Sequence, residues 1–152
     1  MDEIDQKILA LLQKNARATN ADIAKEVGMA PSGVFERIRK LEERGIILSY
    51  EARLHPKSVG LGLLAYVFVR SADKAGELKN ARTLSKIPEV LEVHHIAGED
   101  CYLLKVRTTD TDALGKLLRE KIGALPSIQS TRTTIVMDTV KETMCLPVNE
   151  TK

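Results

Sequence analysis

Two short stretches hold most of the residues able to recognise or transform another molecule. The first is SGVFERIRK, residues 32–40, where Ser32, Glu36, Arg37, Arg39 and Lys40 offer a hydroxyl, a carboxylate and three cations. Cations hold phosphates, and a carboxylate can accept from an exocyclic amino group. The second is HHIAGEDCY, residues 94–102, with two histidines, two carboxylates, a thiol and a phenol. Metal binding or nucleophilic catalysis would need these groups to converge. His94 and His95 adjoin in a stretch that reads as strand, and strand neighbours face opposite sides, so they cannot easily share a metal or a proton. The sequence contains no HExxH, GxSxG or P-loop pattern. We expect no catalytic residue, no metal site and no cofactor.

The elements that must position the first stretch are helical. In residues 2–14, Ile4, Ile8, Leu11 and Leu12 mark one buried face, and Asp2, Glu3 and Asp5 suit the positive end of a helix dipole. Asn20 can cap a second helix over about 21–27, with Ile23, Ala24 and Val27 inward, and Gly28 stops it. Pro31 opens a third helix, running to about Arg44, with Val34, Ile38 and Leu41 inward. Small Ala24, Gly28 four residues on and Val34 six beyond have the spacing of a helix-turn-helix. That leaves Ser32, Gly33, Glu36, Arg37 and Lys40 outward, with Arg39 at the edge. Ser32, Gly33 and Glu36 then suit base edges, while Arg37, Arg39 and Lys40 suit phosphates. Residues 46–54, IILSYEARL, read as a β-ribbon or wing, and residues 56–62 as a linker.

From residue 61 the texture changes. LGLLAYVFVR is a β-type run, and Asp73 can cap a helix over 74–86 with Ala75, Leu78 and Leu84 inward. Then come VLEVHHIA, a turn at GED, CYLLKVRTT, and a helix capped by Asp110 or Thr111 and lined by Leu114, Leu117, Leu118 and Ile122. IQSTRTTIVMD closes the series. The order β-α-β-β-α-β is that of a ferredoxin-like domain, here residues 63–140. Residues 141–152 read as a tail, poorly ordered or available to a partner. The first strand is apolar on both faces, whereas two helices can cover only one, so a second subunit is expected over the other.

Bulk properties limit the classes. Net charge is only +2, and residues 1–55 carry nine Lys/Arg against nine Asp/Glu, so any nucleic-acid footprint must come from charge placement. Two cysteines make no disulfide framework and suit a reducing compartment. No apolar run approaches the roughly 18 residues needed to cross a bilayer, and the acidic start MDEIDQK is unlike a secretory signal. A cytoplasmic protein without membrane contact is expected.

Two stretches together resemble the Lrp/AsnC, or feast/famine, regulators. They are DEIDQKILALLQKNARATNADIAKEVGMAPSGVFERIRKLEERGII and IAGEDCYLLKVRTTDTDALGKLLREKIGALPSIQSTRTTIVMDTVKET, and the likeness spans about residues 2–143. The resemblance implies an α+β protein. A winged helix-turn-helix (1–55) would be joined by a β-linker to a ferredoxin-like βαββαβ (RAM/ACT-like) domain for effector binding and oligomerisation. It implies double-stranded DNA with a pseudo-palindromic operator as partner, and dimers assembling further, up to octamers. It also implies an amino acid or related metabolite as effector, bound by Gly98, Glu99, Asp100, Cys101 and Tyr102 of the turn and by Thr131, Thr133 and Thr134 of the last strand. Many members have Asp directly before the tyrosine of the turn, where this chain has Cys101. Ala30 stands where members often carry a capping Ser.

Two other readings use the same residues. An RNA-binding sheet of identical order would need aromatics on its central strands, and only Tyr66, Phe68 and Tyr102 are available. A metabolite-sensing oligomer could use its helix-turn-helix for protein contacts alone. Salt dependence of DNA binding separates that alternative from the first.

Overall fold

The computed structural model describes residues 1–72 and 77–148. The chain forms two compact units, Met1–Arg53 with the C-terminal segment from Lys141, and Leu54–Val140.

Three helices build the first unit: α1 (Glu3–Lys14), α2 (Asn20–Val27) and α3 (Pro31–Glu43). Each start has a local cause. Asp2 and Asp5 form a reciprocal capping box at α1, the Asp5 N–H donating to Asp2 Oδ1 at 2.9 Å and the Asp2 N–H to Asp5 Oδ2 at 3.2 Å. The cap of α2 is Thr19, not Asn20. Its hydroxyl accepts from the Asp22 N–H at 3.1 Å and donates to Asp22 Oδ2 at 2.6 Å, which places Asn20 inside the first turn. Gly28 ends α2 at φ 69°, a left-handed conformation that costs a side-chain-bearing residue more. Proline inside the first turn starts α3, and Ala30 provides no side-chain cap.

The three helices close on Ile8, Leu9, Leu12, Ile23, Ala24, Val34 and Leu41, with Ile4, Leu11, Val27 and Ile38 partly buried around them. Ile8, Ile23 and Val34 are essentially sealed from solvent, and each such burial contributes about 1.5–3 kcal/mol.

One expectation for this unit fails. Residues 46–54 form no β-ribbon: the described strands make one four-stranded sheet, and this segment pairs with none of them. A strand needs a ladder partner for its backbone groups, and this segment has none among the described strands. Instead the Ile46 and Ile47 N–H groups donate to the Leu41 carbonyl at 2.9 and 3.2 Å, and Ile47 packs on the helical core. The Tyr50 hydroxyl donates to Glu42 Oε1 at 2.8 Å and Arg53 pairs with Glu142, while Leu48 and Leu54 are exposed. The expected tail, 141–152, is described as far as Val148, without regular secondary structure, and touches the helices at a few points. The Gln13 side-chain amide donates to the Leu146 carbonyl at 2.9 Å and accepts from the Leu146 N–H at 2.6 Å, and Val148 packs on the helical core.

The second unit begins with a 3-10 turn, Pro56–Val59, in the segment expected to be a β-linker. Pro56 fixes the first residue and His55 caps the turn. Four strands follow: β1 (Leu63–Ser71), β2 (Val90–His95), β3 (Tyr102–Thr108) and β4 (Ile128–Ile135). They form an antiparallel sheet in the order β2-β3-β1-β4. Helix α4 (Lys79–Leu84) is shorter than the 74–86 expected, and Asp73 and Ala75 lie outside the described residues. Leu78 sits at its start, exposed rather than inward, while Leu84 is fully buried. Helix α5 (Thr111–Lys116) is capped by Asp110, which accepts from the Ala113 N–H at 2.8 Å, and continues through a wider turn over Leu117–Ile122.

Both helices cover one face of the sheet. Ala65, Val67, Val69, Val90, Tyr102, Leu104 and Val106 join Leu84, Leu114, Leu117 and Ile122 in one core. Asn80, buried beneath, donates to Ser71 Oγ at 2.8 Å and Ser127 Oγ at 2.6 Å, tying α4 to the end of β1. The other face of β1 carries Tyr66, Phe68 and Arg70, all partly exposed.

Candidate nucleic-acid interface and effector site

Helix α3 is pinned from behind by Val34 and Leu41, so the geometry of its outer side follows from helical periodicity. Ser32, Glu36, Arg39 and Lys40 are exposed. Two expected members differ. The side chain of Arg37 turns toward α1 and is 29% exposed; its Nη1 lies 2.8 Å from Asp2 Oδ2 and 2.7 Å from Asp5 Oδ1. These hydrogen bonds raise the guanidinium pKa further, and Asp2, which also accepts from the Asp5 N–H, is held below the usual carboxylate range. Arg37 therefore belongs to a lock between α3 and the start of α1 and does not project outward. Gly33 is partly covered too: a Cβ built there would meet the Met29 Cε at 3.0 Å, so its small size admits a neighbouring side chain of the same unit.

Arg39 bridges Glu36 and Glu43 on the surface at 2.8 and 2.7 Å. All three side chains are about half exposed, and such solvent-screened pairs contribute little to stability. Arg39 and Glu36 can therefore exchange partners cheaply with a duplex, whereas Arg37 is held by Asp5, whose side chain is only 13% exposed. Lys40 is an exposed cation. The first turn of α3 carries no acidic residue and no side-chain cap, and its Gly33 and Val34 N–H groups donate back to the Ala30 carbonyl at 3.0 and 3.2 Å.

In the second unit, the turn after β2 closes with the Ile96 N–H donating to the Cys101 carbonyl at 3.0 Å. Gly98 sits in it at φ 132°, which a side chain would strain. Glu99 and Asp100 meet two cations that the sequence reading missed. Arg70 reaches the Glu99 carbonyl and Oε2, both at 3.2 Å. Arg132 lies 2.9 Å from Asp100 Oδ2, and its guanidinium stands 4.0 Å above the centre of the Phe68 ring. Strand alternation carried the signal: Arg70 follows Tyr66 and Phe68 at two-residue steps. The partner of Phe68 on β4 is Arg132, which needs the register to be seen.

The other expected residues divide between the two faces of the sheet. Thr134 opposes Tyr66 and shares the open face with Arg132. Thr133 and Thr131 oppose Val67 and Val69, whose side chains belong to the helix-covered core. Tyr102 is 1% exposed on that covered side, with its hydroxyl donating to the Glu77 carbonyl at 3.2 Å. Cys101 is half-buried and its thiol contacts the Ser71 backbone at 3.4 Å. The structure thus gathers Glu99, Asp100 and Thr134 with Arg70, Arg132 and Phe68, and separates them from Tyr102, Thr131 and Thr133. His94 pairs with Glu92 at 3.1 Å, while His95 lies beside the Tyr102 ring, so the two histidines do not converge. Among the described residues, no group of three or more His, Cys, Asp or Glu side chains is placed to hold a metal.

Comparison with known proteins finds a family match for each half of the chain. Residues 1–47 match a family model described as winged helix-turn-helix DNA-binding, and residues 64–146 one described as the Lrp/AsnC ligand binding domain. The HTH-type transcriptional regulator FL11 of Pyrococcus horikoshii is 39% identical over 149 residues, 97% of each chain. The leucine-responsive regulatory protein of Escherichia coli is 39% identical over 145 residues, 93% of this chain and 88% of that one. The crystal structure of a Neisseria meningitidis transcriptional regulator in complex with L-Met superposes with a TM-score of 0.91 at 35% identity, over 98% of this chain and 97% of that one. A feast or famine regulatory protein from M. tuberculosis complexed with L-methionine gives 0.85 at 33%, over 93% and 95%. Helix-turn-helix and four-stranded sensor domain are thus matched in sequence and in backbone along almost the whole length, and the chain belongs to the Lrp/AsnC family of transcription regulators.

Proposed function

We propose that this DNA-binding transcription regulator reads its operator with the outer side of α3 and senses a zwitterionic metabolite, of the amino-acid class, at the paired charges beside Gly98. The observation that carries the first half is the bare outer strip of Ser32, Glu36, Arg39 and Lys40 on a helix pinned by Val34 and Leu41. Lys40 and Arg39 neutralise phosphates, and Ser32 and Glu36 reach base edges. Gly33 contributes through Met29 rather than by direct approach, and Arg37 holds α3 in position.

For the second half, each charge at the turn already has an opposite partner at the surface: Arg70 with Glu99, and Arg132 with Asp100. An α-carboxylate can take the place of Asp100 on Arg132 while the α-ammonium takes the place of Arg132 on Asp100, so the exchange strands no charge. Phe68 supplies an apolar wall, and Thr134 a hydroxyl on the same face. Asp100 thereby does the work that an aspartate at the Cys101 position would do. Two relatives whose structures hold L-methionine support this ligand class.

The working unit is a two-fold dimer or a larger assembly of dimers, placing two copies of α3 in successive major grooves, so that half-sites lie about one or two helical turns apart. Effector binding acts by preferring one assembly state over another. The domain plan that follows is a DNA-binding head (1–55), a linker (56–62), a sensor (63–140) and a C-terminal tail (141–152), whose Leu146 and Val148 contact the head.

The test has two arms. In the first, DNA affinity is measured against salt: Lys40→Ala should flatten the slope of log K against log[salt] by about 1.8 for a dimer on two half-sites, one phosphate's share of about 0.9 from each head. An unchanged slope would remove Lys40 from the interface, and wild-type binding indifferent to salt would favour a helix-turn-helix used for protein contacts alone. In the second, thermal shift is read against a panel of amino acids, including L-methionine. A rise in melting temperature that Arg132→Ala abolishes supports the site; a rise that survives it places the ligand elsewhere.

A further inference from the structure

The outer strip of α3 also holds a large apolar side chain that its own unit leaves uncovered. Phe35 is 53% exposed, directly after the fully buried Val34. It lies three residues after Ser32 and four before Arg39, so the three side chains share one strip of the helix surface. A single exposed apolar residue normally needs no explanation. Phe35 differs in its place, near the start of the helix that enters the major groove, and in the state of its neighbours. Arg37 is held by Asp2 and Asp5, and the exposed Glu36–Arg39 pair follows Phe35 along the helix. The groove-facing start of α3 therefore offers an apolar ring beside the Ser32 hydroxyl, ahead of its charged groups.

The major groove presents one apolar group among its donors and acceptors, the C5-methyl of thymine, and phenylalanine is among the side chains that contact it. Against a cytosine amino group or the guanine acceptors, the same ring would strip water from a polar edge and return no hydrogen bond. We propose that Phe35 is a specificity-determining residue that reads the methyl group of a thymine in each half-site. The inference rests on α3 being the reading helix. It adds what that helix reads, and it makes the contact apolar, so its contribution to discrimination should be insensitive to salt.

The probe is a duplex selected from a random-sequence pool by the full-length protein, then resynthesised with deoxyuridine replacing one thymine of the half-site at a time. Uracil pairs like thymine and lacks only the methyl. At one position per half-site, wild-type protein should lose about three- to fivefold in affinity, the value of one buried methyl group, and the ratio should hold between low and high salt. Phe35→Ala should bind the selected duplex more weakly and show no difference between thymine and uracil. Phe35→Leu should keep part of the difference. Because the side chain is exposed, Phe35→Ala should melt with the wild type, which separates a lost contact from a lost fold. Equal affinity of wild type for every uracil-containing duplex, or full uracil sensitivity in Phe35→Ala, overturns the assignment of Phe35 and leaves the reading helix in place. Failure of the protein to enrich any duplex overturns both.

Discussion

At the residue scale, cations on the same helix differ in what they hold. Arg37, Arg39 and Lys40 look interchangeable in sequence, yet Arg37 is turned inward by two carboxylates of the α1 capping box. Arg37→Ala should therefore cost stability, about 1 kcal/mol for a partly exposed double ion pair, and should leave the salt slope of DNA binding unchanged. Calorimetry and a salt titration of that variant check the two halves separately, and a slope reduced as in Lys40→Ala would return Arg37 to the phosphates. The carboxylates that cap helices predict a pH effect. Asp2 and Asp110 accept backbone N–H groups, Asp22 accepts from Thr19, and all three are held below the ordinary aspartate value of 3.8. A depressed folded pKa stabilises fully above the unfolded value and is lost as pH falls through the folded one. Melting temperature should accordingly fall as acid takes pH below about 4, near the unfolded aspartate value. Asp110→Asn, which can still cap, should retain the helix and lose its share of that slope. The lock itself was not legible in the sequence, because thirty-odd residues separate Arg37 from its partners, and helical periodicity fixes only the side of α3 on which a residue sits.

At the element scale, periodicity and punctuation placed most of what was found. The three helices, the turn at Gly28 and the β-α-β-β-α-β order follow from apolar spacing, Gly, Pro and Asp, because those signals act within a few residues. What escaped was non-local: residues 46–54 have the alternation of a strand but no partner strand among the described residues, and the last segment carries few local signals. That segment has a stability consequence. Val148 packs on the helical core, and Gln13 makes two hydrogen bonds to the Leu146 backbone. A chain ending at Val140 should thus lose about 2 kcal/mol from the first unit, one part-buried valine and two modest hydrogen bonds. The loss should appear as faster amide exchange in α1, with exchange in the sheet core unchanged. Gln13→Ala should reproduce part of it. Unaltered protection in α1 would show that the segment rests on the head without supporting it.

At the scale of the whole molecule, the sheet has one face sealed by α4 and α5 and one that is not. Tyr66, Phe68 and Leu103 lie on the open face, flanked by the Lys105–Glu92 and Arg132–Asp100 pairs. The apolar character of β1 on both sides foretold such a face, whereas the register that sets Arg132 over Phe68 depends on pairing far apart in sequence. A face of this kind, in a family whose operators are expected to be two-fold, argues for a second copy of the chain as its cover. Phe68→Glu tests this with little risk to the fold, because the new carboxylate would stand beside Arg132, whose guanidinium already lies over that position. Sedimentation should then show a smaller species. Affinity for a duplex with two half-sites should drop by about a hundredfold or more, because the second head no longer arrives tethered to the first. Affinity for a single half-site should not change, since α3 is untouched. If sedimentation is unaltered by Phe68→Glu but shifts with Leu48→Asp, the exposed 46–54 segment, and not the sheet, joins the copies. The segment would then have found its missing ladder in a neighbour.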